Sequence, residues 1–482
     1  MRILLASSEV HPYSKTGGLG DMVGALAKAL ARAGHQVGLA TPLYQGITDR
    51  FAEIKHIGLN FEVQLGPGRV RAGVWSVEPN QGVALYFIDQ PEFFHRPTLY
   101  HKDGVDYPDN AARFIFFSKA VTHLARHLPL RPELVHAHDW QTGLVPLLIM
   151  HQRKSDGWTD APRTCLTIHN LAYQGLFPAT LYPLTNLPWD YFSPSGVEFY
   201  GKMGCLKAGI ALADVITAVS PRYAREITTK ELGCGLDGLL RHRQSSLFGI
   251  LNGVDYDEWN TQTDPHINYP YSKDDLSGKT ANKIELQKEF GLSPDATIPL
   301  FGSIGRLVEQ KGMDIMLGAL QEMLPARIQF VLLGSGAPSF ENGFADLAHQ
   351  FPTQAAIRIG FDEALSHRIE AGCDFFLMPS QFEPCGLNQM YSLRYGTTPI
   401  VRKTGGLDDT VIDATENVEA ANGIKFTSYS TPALAKGIRK ALALFDEKEL
   451  LHRFRMNAMS ADFSEERTAA EYIKVYHKAL GG

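Results

Sequence analysis

The sequence predicts an α/β protein built as two nucleotide-fold lobes that share a cleft. Three observations carry this expectation. Strand and helix patterns alternate in two separate series, one running to about residue 245 and one starting near 298. The segment KTGGLGD (15–21) returns as KTGGLDD (403–409), each time after a strand pattern and before a helical one. The chain has 482 residues, about three times the ~150 residues usual for one domain. Ligands of such sheets sit beyond the carboxyl ends of the strands.

The elements follow in order. RILLASSEV reads as a buried strand, HPYSKTGGLGD as a polar glycine-rich loop, and MVGALAKALARAGH as an amphipathic helix that stops at Gly34. QVGLATPLY completes a βαβ unit of the kind that makes parallel sheets. ALYFID, LVHAHD, TCLTIHN and DVITAVS are further strands of the first lobe. The polar, proline-containing stretch 255–295 reads as an interdomain connection. In the second lobe IPLFGSIGRL, IQFVLLGSG, DFFLMPS and TTPIVRKTGG are strands, alternating with the helices GMDIMLGALQEML, ALSHRIEAG and GLNQMYSLRYG. The boundaries expected are 1–245 for the first lobe, 246–456 for the second and 457–482 for one amphipathic C-terminal helix.

Composition excludes several classes. With 46 Lys and Arg against 52 Asp and Glu, the formal charge is −6, which argues against a general nucleic-acid binder. No segment reaches the ~18 apolar residues of a membrane span. The N-terminus lacks the apolar stretch of a signal peptide. Five scattered cysteines with no CxxC form neither a disulfide framework nor a thiolate zinc site, so a cytoplasmic protein is expected.

Four motifs carry candidate chemistry. KTGGLGD lacks the spacing of both the dinucleotide fingerprint and the phosphate loop. Yet Gly17 and Gly18 allow backbone N–H groups close to an anion at a helix start, and Lys15 adds a mobile positive charge. In GRLVEQKG, Arg306 and Lys311 stand beside glycines at a strand-to-helix turn, which suits a pyrophosphate. In SQFEPCGLNQ, Glu383 follows a strand, and the backbone of Cys385, Gly386 and Leu387 leads into a helix, again suiting phosphate. Cys385 reads as a packing residue rather than a nucleophile, and Glu383 either meets sugar hydroxyls or only the helix dipole. Asp139 and His169 end two strands, where each serves either an active site or structural hydrogen bonding. His136, His138 and Asp139 raise zinc, but no further ligand follows at motif spacing, so no metal is expected.

Together KTGGLGD, HAHDW, TIHN, GRLVEQKG, EPCGL and TGGLDDTV resemble the bacterial and plant glycogen/starch synthase family, in the same order and over essentially the whole chain. The resemblance implies the GT-B fold, two Rossmann-like lobes facing a central cleft, with the last helix crossing back to the first lobe. It also implies a retaining glucosyltransferase that moves glucose from ADP-glucose to the non-reducing 4-hydroxyl of an α-1,4-glucan such as glycogen. No cofactor, metal or nucleic-acid partner is implied. By motif, Lys15, Gly17, Gly18 and Asp21 would contact the donor, and Arg306 and Lys311 would neutralise the leaving diphosphate. Glu383 would face the transferring glucose over the Cys385, Gly386 and Leu387 backbone. Asp139 and His169 would line the sugar and acceptor side. Asn252 and Thr404 would complete the cleft. Phe361 would stack on adenine where the family usually has tyrosine, keeping the stacking without the phenolic hydrogen bond.

Alternatives stay open at this level. Another two-lobed glycosyltransferase, of the sucrose or trehalose-phosphate synthase type, has a similar outline. So has a glucan- or nucleotide-binding regulator without catalysis.

Overall fold

A computed structural model describes residues 1–80, 82–102 and 104–481, with side chains for all of these except 78–80. The chain divides into two compact units, one of residues 1–253 with 465–482, the other of residues 254–464.

In the first unit nine strands form one sheet. They are β1 (Arg2–Ala6), β2 (Gln36–Pro42), β3 (Lys55–Leu65), β4 (Gly68–Asn80) and β5 (Val83–Asp89), then β6 (Leu134–His138), β7 (Arg163–Ile168), β8 (Val215–Ala218) and β9 (Leu247–Gly249). The spatial order is β9-β8-β7-β6-β1-β2-β5-β4-β3. Every pairing from β9 to β5 is parallel. Helices cover both faces of a parallel sheet, which is why β1 and β6 read as near-continuous apolar runs. The helix Gly18–Arg32 returns β1 to β2 and buries Leu19, Val23, Leu26 and Leu30.

The β3–β4 hairpin, antiparallel to its neighbours, was not expected. Its first strand is exposed along most of its length, and alternates inward and outward only from Phe61 to Leu65. A period that short is easily passed over as loop.

The C-terminal region is two helices rather than one. Lys448–Ser460 belongs to the second unit and Glu465–Leu480 to the first. Ala461, extended at φ −69°, ψ 133°, ends the earlier helix. The later one buries Tyr472 and Tyr476 against the first sheet, where the Tyr476 hydroxyl lies 2.8 Å from His136 Nδ1. Its Thr468 hydroxyl donates to the Leu251 carbonyl, and Glu465 pairs with Arg32 at 2.8 Å.

The second unit is built on a six-stranded, fully parallel sheet. Its strands are β10 (Leu300–Leu307), β11 (Gln329–Gly336), β12 (Ala355–Ile359), β13 (Phe375–Met378), β14 (Thr398–Arg402) and β15 (Ile424–Phe426). The order is β12-β11-β10-β13-β14-β15. Successive strand residues serve opposite faces. Phe301, Phe330, Phe375 and Ile400 join one core, while Leu300, Val331, Phe376 and Val401 join the other.

The stretch 255–295 is not a linker but part of this unit. Its helix Ser277–Glu289 buries Lys279 and Lys283. Lys283 pairs with Asp374 at 2.6 Å, and Lys279 donates to Thr397 at 2.6 Å. Polar residues that find buried partners look, in sequence, the same as a solvated connection.

Candidate active site

On the first sheet the functional residues gather where the strands end. After β1, the Glu9 carboxylate accepts from the Thr16 backbone N–H at 2.6 Å, the Thr16 hydroxyl at 2.7 Å and the Tyr100 hydroxyl at 2.7 Å. Burial pushes its pKa up against these hydrogen bonds. Glu9 therefore clamps the loop that carries Lys15. The sequence reading missed it, although a carboxylate closing an apolar strand was the available signal. Lys15 Nζ lies 2.9 Å from Asp21 Oδ1, with His11 3.6 Å from the same oxygen. A side chain at Gly17 would meet nothing within 4 Å, so the approach to the start of the helix Gly18–Arg32 is open.

Asp139 follows β6 in a backbone conformation of φ 57°, ψ −170°. That region costs of order 1–3 kcal/mol for a residue with a Cβ, and such strain concentrates at functional sites. The carboxylate accepts from the His169 backbone N–H at 2.7 Å. Burial raises its pKa to about 7 in spite of that bond and one from the Asn170 N–H.

His169 directly follows β7, and its Nε2 lies 3.0 Å from His138 Nδ1. Burial lowers His169 and His136 to about 3 and His138 well below its usual range, so all three are neutral near pH 7. Both nitrogens of His136 face hydroxyls, Tyr476 at 2.8 Å and Thr167 at 2.6 Å. His138 Nε2 and Asn252 Oδ1 are among the buried polar atoms that have no partner among the described residues. Such atoms are rare in finished interiors and fit a site that takes a hydroxylated ligand.

On the second sheet Arg306 stands exposed at the end of β10. Lys311 was expected to face a diphosphate; here its Nζ lies 2.5 Å from Glu383 Oε2. Ser380 donates to the same oxygen at 3.0 Å. Glu383 is buried, in the loop that follows β13. Gln310 ties this loop to the one bearing Lys311, accepting from the Gln381 N–H at 2.8 Å and donating to the Phe382 carbonyl at 3.3 Å.

Below Glu383 lies the second glycine pair. A Cβ on Gly405 would sit 1.8 Å from the Glu383 carbonyl oxygen, and one on Gly406 2.1 Å from that of Cys385. Only glycines let these two backbones stack. Thr404, buried, precedes the helix Gly405–Thr410. Cys385 is buried, Gly386 takes φ +74°, and Leu387 precedes the helix Asn388–Arg394. Phe361, two residues past β12, is 80% exposed, its ring standing in solvent.

Thus Lys15, Gly17, Gly18, Asp21, Asp139, His169 and Asn252 lie at the carboxyl edge of the first sheet. Arg306, Lys311, Phe361, Glu383, Cys385, Gly386, Leu387 and Thr404 lie at that of the second. What sequence could not supply was the pairing of Lys311 with Glu383, 72 residues away.

The starch synthase catalytic domain family matches residues 2–242, and glycosyl transferases group 1 matches residues 286–460. The glycogen synthase of Syntrophotalea carbinolica is 44% identical over 100% of this chain and 99% of its own length. That of an Anaeromyxobacter species is 46% identical over 99% of both. Among solved structures, the catalytic domain of starch synthase IV from Arabidopsis thaliana, bound to ADP and acarbose, is 33% identical. It superposes with a TM-score of 0.90, covering 100% of this chain and 99% of that one. A sucrose-phosphate synthase from Thermosynechococcus elongatus, 17% identical over 99% of both chains with a TM-score of 0.63, shares the fold.

Proposed function

The chain belongs to the bacterial and plant glycogen/starch synthase family, and from that premise we propose how its own residues carry the reaction. It is a GT-B glucosyltransferase that transfers glucose from ADP-glucose to the non-reducing 4-hydroxyl of an α-1,4-glucan with retention of configuration. The observation that carries this is full-length identity of 44% and 46% to glycogen synthases, together with the six motifs in order.

In our reading each carboxyl edge carries residues for the donor. Lys15, with the Gly17–Gly18 backbone and Asp21, meets the phosphate and glucose from the first unit. Arg306 and Lys311 meet the diphosphate from the second. Breaking the anomeric bond moves negative charge onto the departing phosphate. Fixed cations there stabilise the transition state more than the ground state. Lys311, paired with Glu383 before donor arrives, then divides its hydrogen bonds between that carboxylate and the phosphate. Glu383 holds the glucose hydroxyls over the Cys385, Gly386 and Leu387 backbone, with Thr404 beneath. The neutral His169, Asp139 and the unpartnered Asn252 Oδ1 receive sugar hydroxyls, and Phe361 stacks on the adenine. No metal or cofactor takes part in the transfer.

Retention follows from same-face transfer assisted by the leaving phosphate, without a glucosyl-enzyme intermediate. Trapping a glucose ester of Glu383 with a slow donor would overturn that part. All five cysteines are free thiols, and with a nucleotide-sugar donor we place the reaction in the cytoplasm. Incorporation of labelled glucose into glycogen, with ADP-glucose and UDP-glucose compared side by side, tests the whole reading. ADP-glucose should be the faster donor. Equal or faster transfer from UDP-glucose rejects the donor assignment, and no incorporation from either rejects the function.

A further inference from the structure

We infer that Glu258, Glu363 and His367 form a divalent-cation site on the second unit, separate from the residues placed on the donor. Each offers one ligand atom, and these atoms lie within 4.8 Å of one another.

The histidine carries the argument. His367 is 1% exposed, and its Nδ1 lies 2.8 Å from Asp264 Oδ2. The same oxygen accepts from the Tyr395 hydroxyl at 2.5 Å, and Asp264 Oδ1 accepts from the His266 backbone N–H at 2.8 Å. With donors at both of its oxygens the carboxylate accepts from His367 too, which places the ring proton on Nδ1. The indole of Trp259 stacks on the imidazole with centroids 3.8 Å apart and planes 12° from parallel. Tyr391 stacks on Trp259 in turn, at 3.7 Å and 3°. The ring is thereby fixed in tautomer and direction.

Its Nε2 is left buried and without a hydrogen-bond partner among the described residues, and one nitrogen of this ring lies within 4.8 Å of a carboxylate oxygen of each glutamate. A neutral imidazole presents a lone pair there, which carboxylates cannot satisfy and a cation can. An Nδ1–H bound to a carboxylate, with Nε2 turned inward, is the arrangement that orients a metal-bound histidine. One imidazole nitrogen and two carboxylate oxygens, with no thiolate, suit Zn²⁺ or Mn²⁺. Such an ion would tie the segment before Trp259 to the start of the helix Glu363–Gly372, two residues past Phe361. The inference stands without the donor reading, since cation binding is measured with no donor present.

The test uses the full chain, freed of metal with chelator. Mn²⁺ binding is followed by electron paramagnetic resonance, and Zn²⁺ binding by calorimetry and thermal unfolding. Neither glutamate is fully buried, so Glu258→Gln, Glu363→Gln and the double variant should melt like the parent in chelator. We expect one saturable site per chain for at least one of the two ions, weakened tenfold or more in each single variant. A hundredfold excess over Kd should raise the melting temperature of the parent by roughly 5 °C, and not that of the double variant. Absence of saturable binding to 1 mM of either ion overturns the proposal. So does equal binding by parent and double variant, which would mean that water or a protonated imidazole fills the gap.

Discussion

Asp139 combines a strained backbone, a buried carboxyl and a position at the end of β6, and each has an energetic consequence. In the unfolded chain its carboxyl ionises near its ordinary value of 3.8, and in the folded chain at about 7. The folded state therefore binds the proton more tightly between those values, and stability falls as pH rises through this window. The penalty at pH 8 is on the order of 4 kcal/mol at most. Asp139→Asn keeps the shape and the acceptor for the His169 N–H, tolerates positive φ, and removes the charge. It should leave stability at pH 4 nearly unchanged and raise it at pH 8 by roughly 1–4 kcal/mol, while glucose transfer falls. Thermal unfolding of parent and variant at the two pH values checks this; equal gains at both would show that charge is not the cause.

At the same scale the cations and the carboxylate of the second unit separate by kinetics. Arg306→Ala should lower turnover by about 10²–10³-fold, the usual cost of losing one donor to developing negative charge. Lys15→Ala should fall in the same direction. Glu383→Ala should lose turnover while ADP-glucose binding, measured by calorimetry, stays near the parent value. Normal turnover in Arg306→Ala would remove that residue from the catalytic set.

The loops that end the strands form the next level, and the stacking of 404–406 under 383–385 is the most sensitive contact among them. Gly406→Ala places a methyl 2.1 Å from a backbone oxygen, which no side-chain rotation relieves. One of the two loops must move, at a cost of about 1–3 kcal/mol, and Glu383 moves with its loop. We expect lower melting temperature and lower turnover together; unchanged turnover would show that the Glu383 position does not depend on this stack. The glycines themselves were legible as KTGGLDD, and so were the strands that end at Ala6, His138, Ile168 and Met378, because buried parallel strands are apolar runs closed by polar turns. The hairpin β3–β4 was not, since only a short stretch near Phe61 alternates. Nor was the burial of Lys279 and Lys283, whose partners lie about a hundred residues on. Periodicity records which way a residue faces, not which distant group it meets, and for that reason the contact of Glu9 with Tyr100 and the Lys311–Glu383 pair emerged only in three dimensions.

For the whole molecule, the division of the chain makes an asymmetric prediction about its parts. The second unit is a continuous run, residues 254–464, with a sheet covered by apolar clusters on both faces. Expressed alone it should fold and melt cooperatively. The first unit is discontinuous, because the helix Glu465–Leu480 closes its sheet from the far end of the chain. Without that helix, residues 1–253 would expose the surface now covered by Tyr472, Val475, Tyr476 and Ala479, all buried, and His136 would lose one of its two hydroxyl partners. Deleting a single large buried aromatic side chain costs about 3–5 kcal/mol, and a domain has only ~5–15 kcal/mol in all. Residues 1–253 should therefore aggregate or stay expanded, and adding 465–482 through a short linker after Gly253 should restore a cooperative transition in circular dichroism. A cooperative melt for 1–253 alone, at the temperature of the restored form, would mean that the last helix is a passenger on the first sheet rather than part of its core.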